Sequence, residues 1–325
     1  MILIFLGIFI EVIPFILIGI LLSSFIQVFV SEELIRRRFS GSSLPTFFLA
    51  GVAGMGFPVC ECGIIPLTRR LIGKGVAPSV AITFMLAVPI VNPVVMASTY
   101  YAFAGDWGYV IFRTLAGIVV SIIIGYAIKS FYRGPVLKEE ALMSSDNSTA
   151  CEQPDSIFGD VFTGEVVFSC GCSHDHHHHD CSEGSEGSFT ARLWQAFNHA
   201  GEEFFYVGRF FIVGALLASL VHVLLPRELV MEVGQAPFLA IPVMMLFAFL
   251  LSLCSEADAF IAASFTGMFT APALMAFMVF GPMLDVKNFL MMSAVFSWRF
   301  LLLLVGLIVG VVFLGMFYLD WLLVS

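Results

Sequence analysis

Apolar residues run in long blocks at roughly 2–30, 44–66, 76–104, 107–131, 204–225, 237–255, 258–282 and 286–318. Each block is long enough, or nearly so, to cross a hydrocarbon core of ~30 Å. Backbone groups in lipid must be satisfied within their own segment, so the blocks predict helices and not open strands. Between 132 and 203 the pattern changes. "KEEALMSSDNSTACEQPDS" and "DCSEGSEGS" are polar and acidic, and they predict a linker or small loop domain with little fixed structure. The predicted class is therefore an all-α polytopic membrane protein of about eight hydrophobic helical segments. Its expected units are a first membrane repeat (1–131), a polar loop (132–203) and a second membrane repeat (204–325).

The two halves echo each other. "PFILIGILLSSFIQVFVSEEL" from Pro14 resembles "RFFIVGALLASLVHVLLPREL" from Arg209. One offset of 195 places Gly19 on Gly214, Ser24 on Ser219, Gln27 on His222, Glu33 on Glu228 and Glu61 on Glu256. Further on, Pro89 and Asn92 fall on Pro282 and Asp285 at an offset of 193, and Arg113 falls on Arg299 with a further gap. Repeated membrane halves are a common construction of secondary transporters.

Composition agrees. Of 325 residues, 59% are hydrophobic and only 12% charged, against about 25% charged in soluble domains. The mean hydropathy is +0.99. The first 30 residues lack a basic leader and a small-residue cleavage site, so they predict a first helix and not a signal peptide. The net charge of −9 comes mostly from the central loop, and no basic stripe points to nucleic acid.

Basic residues set the orientation. Arg36, Arg37 and Arg38 follow the first block, Arg69, Arg70 and Lys74 the second, and Lys129, Arg133 and Lys138 the fourth. All three groups can face the cytoplasm only if block 44–66 enters and leaves on one side. The alternative is eight full crossings with parallel halves. Glycines 51, 54, 56 and 63, with Pro58 and Pro66, suit a re-entrant or broken helix. Three crossings per half then invert the second half relative to the first, and the loop is cytoplasmic.

"GMGFPVCECGIIP", Gly54–Pro66, sets Glu61 between Cys60 and Cys62. An intramembrane carboxylate costs at least ~2.5 kcal/mol on insertion scales, so by default it marks a functional site; the plainer reading is a snorkelling or capping carboxylate. Its repeat mate Glu256 stands in "LSLCSEADAF" with Cys254 and Asp258. Glu61 and Glu256 are expected to meet near the pseudo-symmetry axis and to bind a proton, a cation, or both in exchange. Thiolates at Cys60 and Cys62 would select soft ions; the plainer reading is that they are small packing residues. Asn92 between Pro89 and Pro93, and Asp285 after Pro282, mark helix breaks with freed carbonyls, for a cation or for an ordinary kink. Arg113 and Arg299, within apolar runs, need carboxylate partners from Glu61, Glu256 or Asp285, for gating or for structure.

"CGCSHDHHHHDC" supplies Cys170, Cys172, His174, His176, His177, His178, His179 and Cys181. Thiolate and imidazole at this density bind zinc, copper or nickel. The spacing fits no zinc-finger pattern, so a flexible multi-site binder is expected. No cofactor is required. No zincin motif, nucleophile elbow or phosphate loop occurs, so an enzyme is not expected.

"GFPVCECGIIPLTRRLIGKGVAPSVAITFMLAVPIVNPVV", with "LCSEADAF" and "FGPMLDVKN" downstream, resembles the predicted permease family that includes the organoarsenical efflux permeases, the UPF0718/DUF318 type. It is most similar to the branch described as one subunit of a two-component membrane permease complex. The resemblance covers both hydrophobic halves. It implies a multi-pass protein of the bacterial cell membrane with a second small membrane protein as partner. The arsenical members imply efflux through thiols, and only Cys60 and Cys62 match such positions. The metal-rich loop favours a metal-linked cargo. The expected function is secondary active export of a small soft ion, metalloid or metal complex. The alternative is a non-transporting scaffold that buffers zinc or delivers it to a partner.

Overall fold

The computed structural model describes residues 43–56, 61–138 and 239–324, with residues 212–214, 216, 217 and 220 between them. The first helix, the thiol Cys60, the side chain of Cys62 and the whole Cys170–Cys181 loop lie outside the described residues. Within the first half the helices are α1 (Leu44–Ala53), α2 (Glu61–Gly73), α3 (Pro78–Val91), α4 (Pro93–Ala102) and α5 (Trp107–Phe131). The second half repeats them in order as α6 (Ala240–Leu251), α7 (Ser255–Ser264), α8 (Ala271–Met283), α9 (Val286–Val295) and α10 (Trp298–Val324).

Local chemistry sets these boundaries. Proline in the first turn starts α1, α3, α4 and α8, where its missing N–H costs nothing. Gly54–Gly56 tightens the end of α1 into a 3₁₀ turn. A Cβ on Gly54 would stand 2.8 Å from the Val88 backbone, so only glycine lets this turn touch α3. Asn92 interrupts the apolar stretch between α3 and α4, and its side chain accepts from the Val94 N–H at 2.9 Å. Asp285 does the same between α8 and α9, accepting from the Asn288 N–H at 2.6 Å.

Α1 and α2 form a re-entrant hairpin. At ~1.5 Å per residue, α1 and its 3₁₀ turn span about 20 Å, short of the ~30 Å core. Gly125 of α5 packs among Phe47, Thr83 and the Ser79 carbonyl, and Gly54 lies on Val88, so α1 runs parallel to α3. Glu61, Ile64 and Ile65 share a cavity wall with Met85 and Leu86, while the turn at Gly75 joins the far end of α2 to the start of α3. Α2 therefore runs back toward the face from which α1 entered. Arg69, Arg70 and Lys74 lie at that face.

The halves are inverted. Α5 returns alongside α3, with Gly117 against Ile90 and Gly125 against Thr83. Its end therefore lies at the face where α3 begins. Just beyond it, Leu137 forms a bridge with Phe296, which follows the end of α9. The Lys138 N–H donates to the Val295 carbonyl at 3.1 Å, and the Ser297 N–H donates to the Val136 carbonyl at 2.9 Å. Α9 thus ends at the face where α3 starts, whereas its counterpart α4 ends at the opposite face. The packing follows the same two-fold relation: α2 packs on α9, α7 packs on α4, and α3 meets α8 at the centre.

Four stretches are long and apolar enough to cross: Pro78–Ala102, Trp107–Phe131, Ala271–Val295 and Trp298–Leu322. The two built from α3–α4 and α8–α9 are 78% and 83% buried, against 50% and 33% for the other two. The broken helices are the core, and α5 and α10 present Leu115, Val119, Leu302 and Leu314 outward.

Two expected segments are corrected. The block 258–282 is not one crossing: α7 ends at Ser264, Gly267 turns the chain at φ 84°, and α8 starts at Ala271. The block 286–318 is likewise split at Phe296–Ser297, so α9 completes the crossing begun by α8. Both turns lie in apolar sequence, where hydropathy carries no signal for them.

Inversion predicts that protease sites inserted after Gly105 and after Gly267 are cut from the same face of intact cells. A site after Gly134 should be cut only from the other face. Cutting at 105 and 267 from opposite faces would establish parallel halves.

Candidate functional site

Four helices begin at the centre of the protein: α2 at Glu61, α4 after Asn92, α7 at Ser255 and α9 after Asp285. Each leaves unsatisfied N–H groups and a partial positive charge at its start. The chain meets these ends with carboxylates, placing Glu61, Glu256 and Asp258 in first turns and Asp285 at a cap. Glu61, Asp258 and Asp285 are each no more than 2% exposed. Glu256 is half-buried.

Hydrogen bonds tie the four starts together across the repeat interface. Ser255 Oγ donates to Glu61 Oε2 at 3.2 Å, linking α7 to α2. Glu61 Oε1 stands 3.9 Å from Lys287 Nζ, which stands 3.7 Å from Asp285 Oδ2. Lys287 is 0% exposed. Its N–H donates to Ser252 Oγ at 3.2 Å. Ser252 ends α6 in the left-handed region at φ 50°, a conformation costing about 1–2 kcal/mol outside glycine.

Arg113 closes the other side. Its guanidinium donates to Thr99 Oγ1 at 2.7 Å and to the Ser255 carbonyl at 2.9 Å, joining α5, α4 and α7. The negative charges acting on it are, strongest first, Asp258, Glu256 and Glu61. Asp258 packs so closely on α8 that a Cβ on Gly281 would meet its Oδ2 at 2.7 Å. Among the described residues, Glu61 Oε1, Asp258 Oδ2, Asp285 Oδ2 and Asn288 Oδ1 are buried with no hydrogen-bond partner. Buried polar groups of this kind call for a partner, which can be a proton, an ion or water.

Of the expected site residues whose side chains are described, all but Arg299 come together here. Glu61, Asn92, Cys254, Glu256, Asp258 and Asp285 all lie at the four helix starts, although Asn92 itself is used as the cap of α4. Arg113 is the buried arginine expected, but its direct partners are Thr99 and the Ser255 backbone, and Asp258 leads the charges around it. Arg299 is corrected. The split at Phe296–Ser297 places it exposed in the first turn of α10, at the membrane face, so it is no repeat mate of Arg113 and joins no buried site. Cys60, the side chain of Cys62, and Cys170, Cys172, His174, His176, His177, His178, His179 and Cys181 lie outside the described residues. Among the described residues no group of three or more His, Cys, Asp or Glu forms a metal centre.

Lys287 was not expected. Its signal was present as "GPMLDVKN", a lysine two positions after an aspartate inside what proves to be one crossing. The apolar blocks 258–282 and 286–318 put Lys287 at a segment edge, where a lysine reaches water.

An inverted repeat of broken helices, with buried charges where the halves meet, defines the architecture of a membrane transporter. Residues 1–319 match the family model described as "Predicted permease", ArsP_1, and the chain belongs to that family. It is similar to "UPF0718 protein YcgR" of Bacillus subtilis, 41% identical over 96% of this chain and 94% of that protein. It is also similar to "Putative two-component membrane permease complex subunit" of Streptococcus mutans, 33% identical over 93% of this chain and 89% of that protein. A more limited similarity, 28% identity over 35% of the chain and 33% of its relative, links it to "UPF0718 protein YraQ" of Escherichia coli. No solved structure matches the chain. The chain is a multi-pass permease of the bacterial cell membrane.

Removing one partner of a buried charged network costs about 3–5 kcal/mol. R113M should therefore destabilise the protein on that scale in thermal unfolding, while R299M should leave the melting temperature unchanged. Equal melting for R113M and wild type would show that Arg113 carries none of the packing assigned to it.

Proposed function

We propose that the chain is a secondary active exporter of a small soft ion, metalloid or metal complex, with its transport site where α2, α4, α7 and α9 begin. The observation that carries this reading is the contact of Glu61 with Ser255 and Lys287 across the interface of two inverted halves. Rocking one half against the other would open that interface to either face in turn, as inverted-repeat transporters do. Among the described residues, four carboxylates, Glu61, Glu256, Asp258 and Asp285, share the region with two cations, Arg113 and Lys287. The excess negative charge must be answered by protons or by a bound cation. Exchange of one for the other is the simplest coupling of export to a proton gradient. Cys60, Glu61 and Cys62 are consecutive, so thiols near the site would add preference for soft cargo.

The second reading is a scaffold subunit that buffers zinc or passes it to a partner. The name of the Streptococcus mutans relative, a complex subunit, favours a second membrane protein as partner. The Cys170–Cys181 loop is the part that would hold the metal. Under either reading the chain performs no covalent chemistry.

Transport per folded molecule in proteoliposomes, across a panel of metals and trivalent arsenicals, separates the readings. E61Q and E256Q should abolish export while the protein still inserts and melts cooperatively, because glutamine keeps the shape and removes the charge. Near-normal export in both variants would end the paired-carboxylate mechanism. A protein without Cys151–Ser188 should still export but lose most zinc binding by isothermal titration. Unchanged zinc stoichiometry would move metal binding into the membrane.

A further inference from the structure

A small cavity opens on α2 beside the Glu61–Lys287 pair. It is lined by Glu61, Asn288, Met85, Met283 and Met292, with apolar residues completing the wall. Glu61 Oε1 and the Asn288 side-chain oxygen are buried there without a hydrogen-bond partner among the described residues. Pro89 lacks an N–H, so the helix leaves the Met85 carbonyl without its ordinary donor as well. The lining thus brings a carboxylate, an amide and three methionines together beside a freed carbonyl, with no cationic side chain among the lining residues.

Lys287 is the neighbouring charge, and its geometry is unusual for an ion pair. At 3.9 Å from Glu61 and 3.7 Å from Asp285, its ammonium lies between two carboxylates, farther from each than a charge-assisted hydrogen bond of ~2.7–2.9 Å. The repeat mate of Lys287, at the offset that relates Asn92 to Asp285, is Val94, which is 44% exposed. The lysine is thus not demanded by the repeated scaffold. It belongs to the second half alone, beside the cavity.

Resting on the export reading above, we propose that this cavity is the cargo seat, that its cargo is a soft monovalent cation of the copper(I)/silver(I) class, and that Lys287 is a tethered competitor for Glu61. Thioethers select soft monovalent metal over hard ions, and the carboxylate supplies the countercharge. When the cation enters, Glu61 Oε1 turns to it and the ammonium moves wholly to Asp285. When it leaves, the ammonium returns to share Glu61, so an empty carrier never exposes an uncompensated carboxylate to lipid. Lys287 thereby sets affinity without touching the cargo.

The experiment reads Glu61 directly. The purified full-length protein is treated with dicyclohexylcarbodiimide, which modifies buried membrane carboxyl groups, and the peptide carrying Glu61 is quantified by mass spectrometry. Silver(I), sodium and zinc(II) are each held at buffered free concentration, so that cysteines elsewhere do not deplete them; neutral phenylarsine oxide is the fourth probe. Silver(I) should protect Glu61, and sodium and phenylarsine oxide should not. K287M, which keeps an unbranched chain and removes the competitor, should lower the silver(I) concentration for half-protection by at least tenfold. K287R, whose fork can hold both carboxylates, should raise it and also retains the buried charge if K287M fails to fold. Protection by sodium or zinc(II) equal to that by silver(I) would overturn the soft-cation assignment. The same half-protection in K287R and wild type would overturn the competitor role. The export reading fails by a different readout, transport surviving in E61Q and E256Q, so the two are distinguishable.

Discussion

A charge placed in hydrocarbon has to be answered by the protein itself, and Glu61 is answered from across the interface between the two halves. Its carboxylate takes one hydrogen bond from Ser255 of the opposite half and faces Lys287 of the same half as Ser255. To bring those partners within reach, the chain must break. Α1 stops at Gly54–Gly56, where it can touch Val88 because no side chain intervenes. Α3–α4 and α8–α9 break at Asn92 and Asp285, and those residues satisfy the helix starts they create. Each break would be expensive in lipid. Each is tolerated because α5 and α10 stand outside and cover the broken helices.

Duplication makes the arrangement economical, and its imperfection gives it direction. Both halves supply a re-entrant hairpin with an acidic first turn, and each hairpin packs on the other half's second broken-helix segment. The charges do not follow the symmetry. Arg113 belongs to the first half and joins Thr99 to the Ser255 backbone, while Lys287 belongs to the second and lies between Glu61 and Asp285. Glu61 is buried and Glu256 is half-buried. A two-fold scaffold carrying unlike charges has two inequivalent ways to rock, which is what a vectorial carrier needs.

Much of this was readable in the residues. Hydropathy and period exposed the two halves, and the 195-residue offset placed Glu61 on Glu256. Glycines and prolines around residues 51–66 suggested a hairpin, and basic residues at 69–74 and 129–138 required it to enter and leave on one face. The structure agrees on that face. What failed did so where apolar sequence hides a turn. Gly267 and Ser297 change direction inside unbroken hydrophobic runs, so the second half was divided wrongly. Two residues are displaced by those hidden turns: Arg299 stands exposed in the first turn of α10, and Lys287 is the most deeply enclosed cation among the described residues. An intramembrane lysine is invisible to a pattern that puts it at a segment end.

The central claim is that the Glu61–Ser255 contact lies on the path between the two faces of the membrane and is not a sealed structural clasp. The direct measurement is the rate at which S255C reacts with a membrane-impermeant thiol reagent applied to either face of oriented vesicles, read by mass spectrometry at residue 255. The account predicts reaction from both faces, in proportions that change when a proton gradient is imposed. No reaction from either face under any gradient, in protein that exports normally, would contradict it.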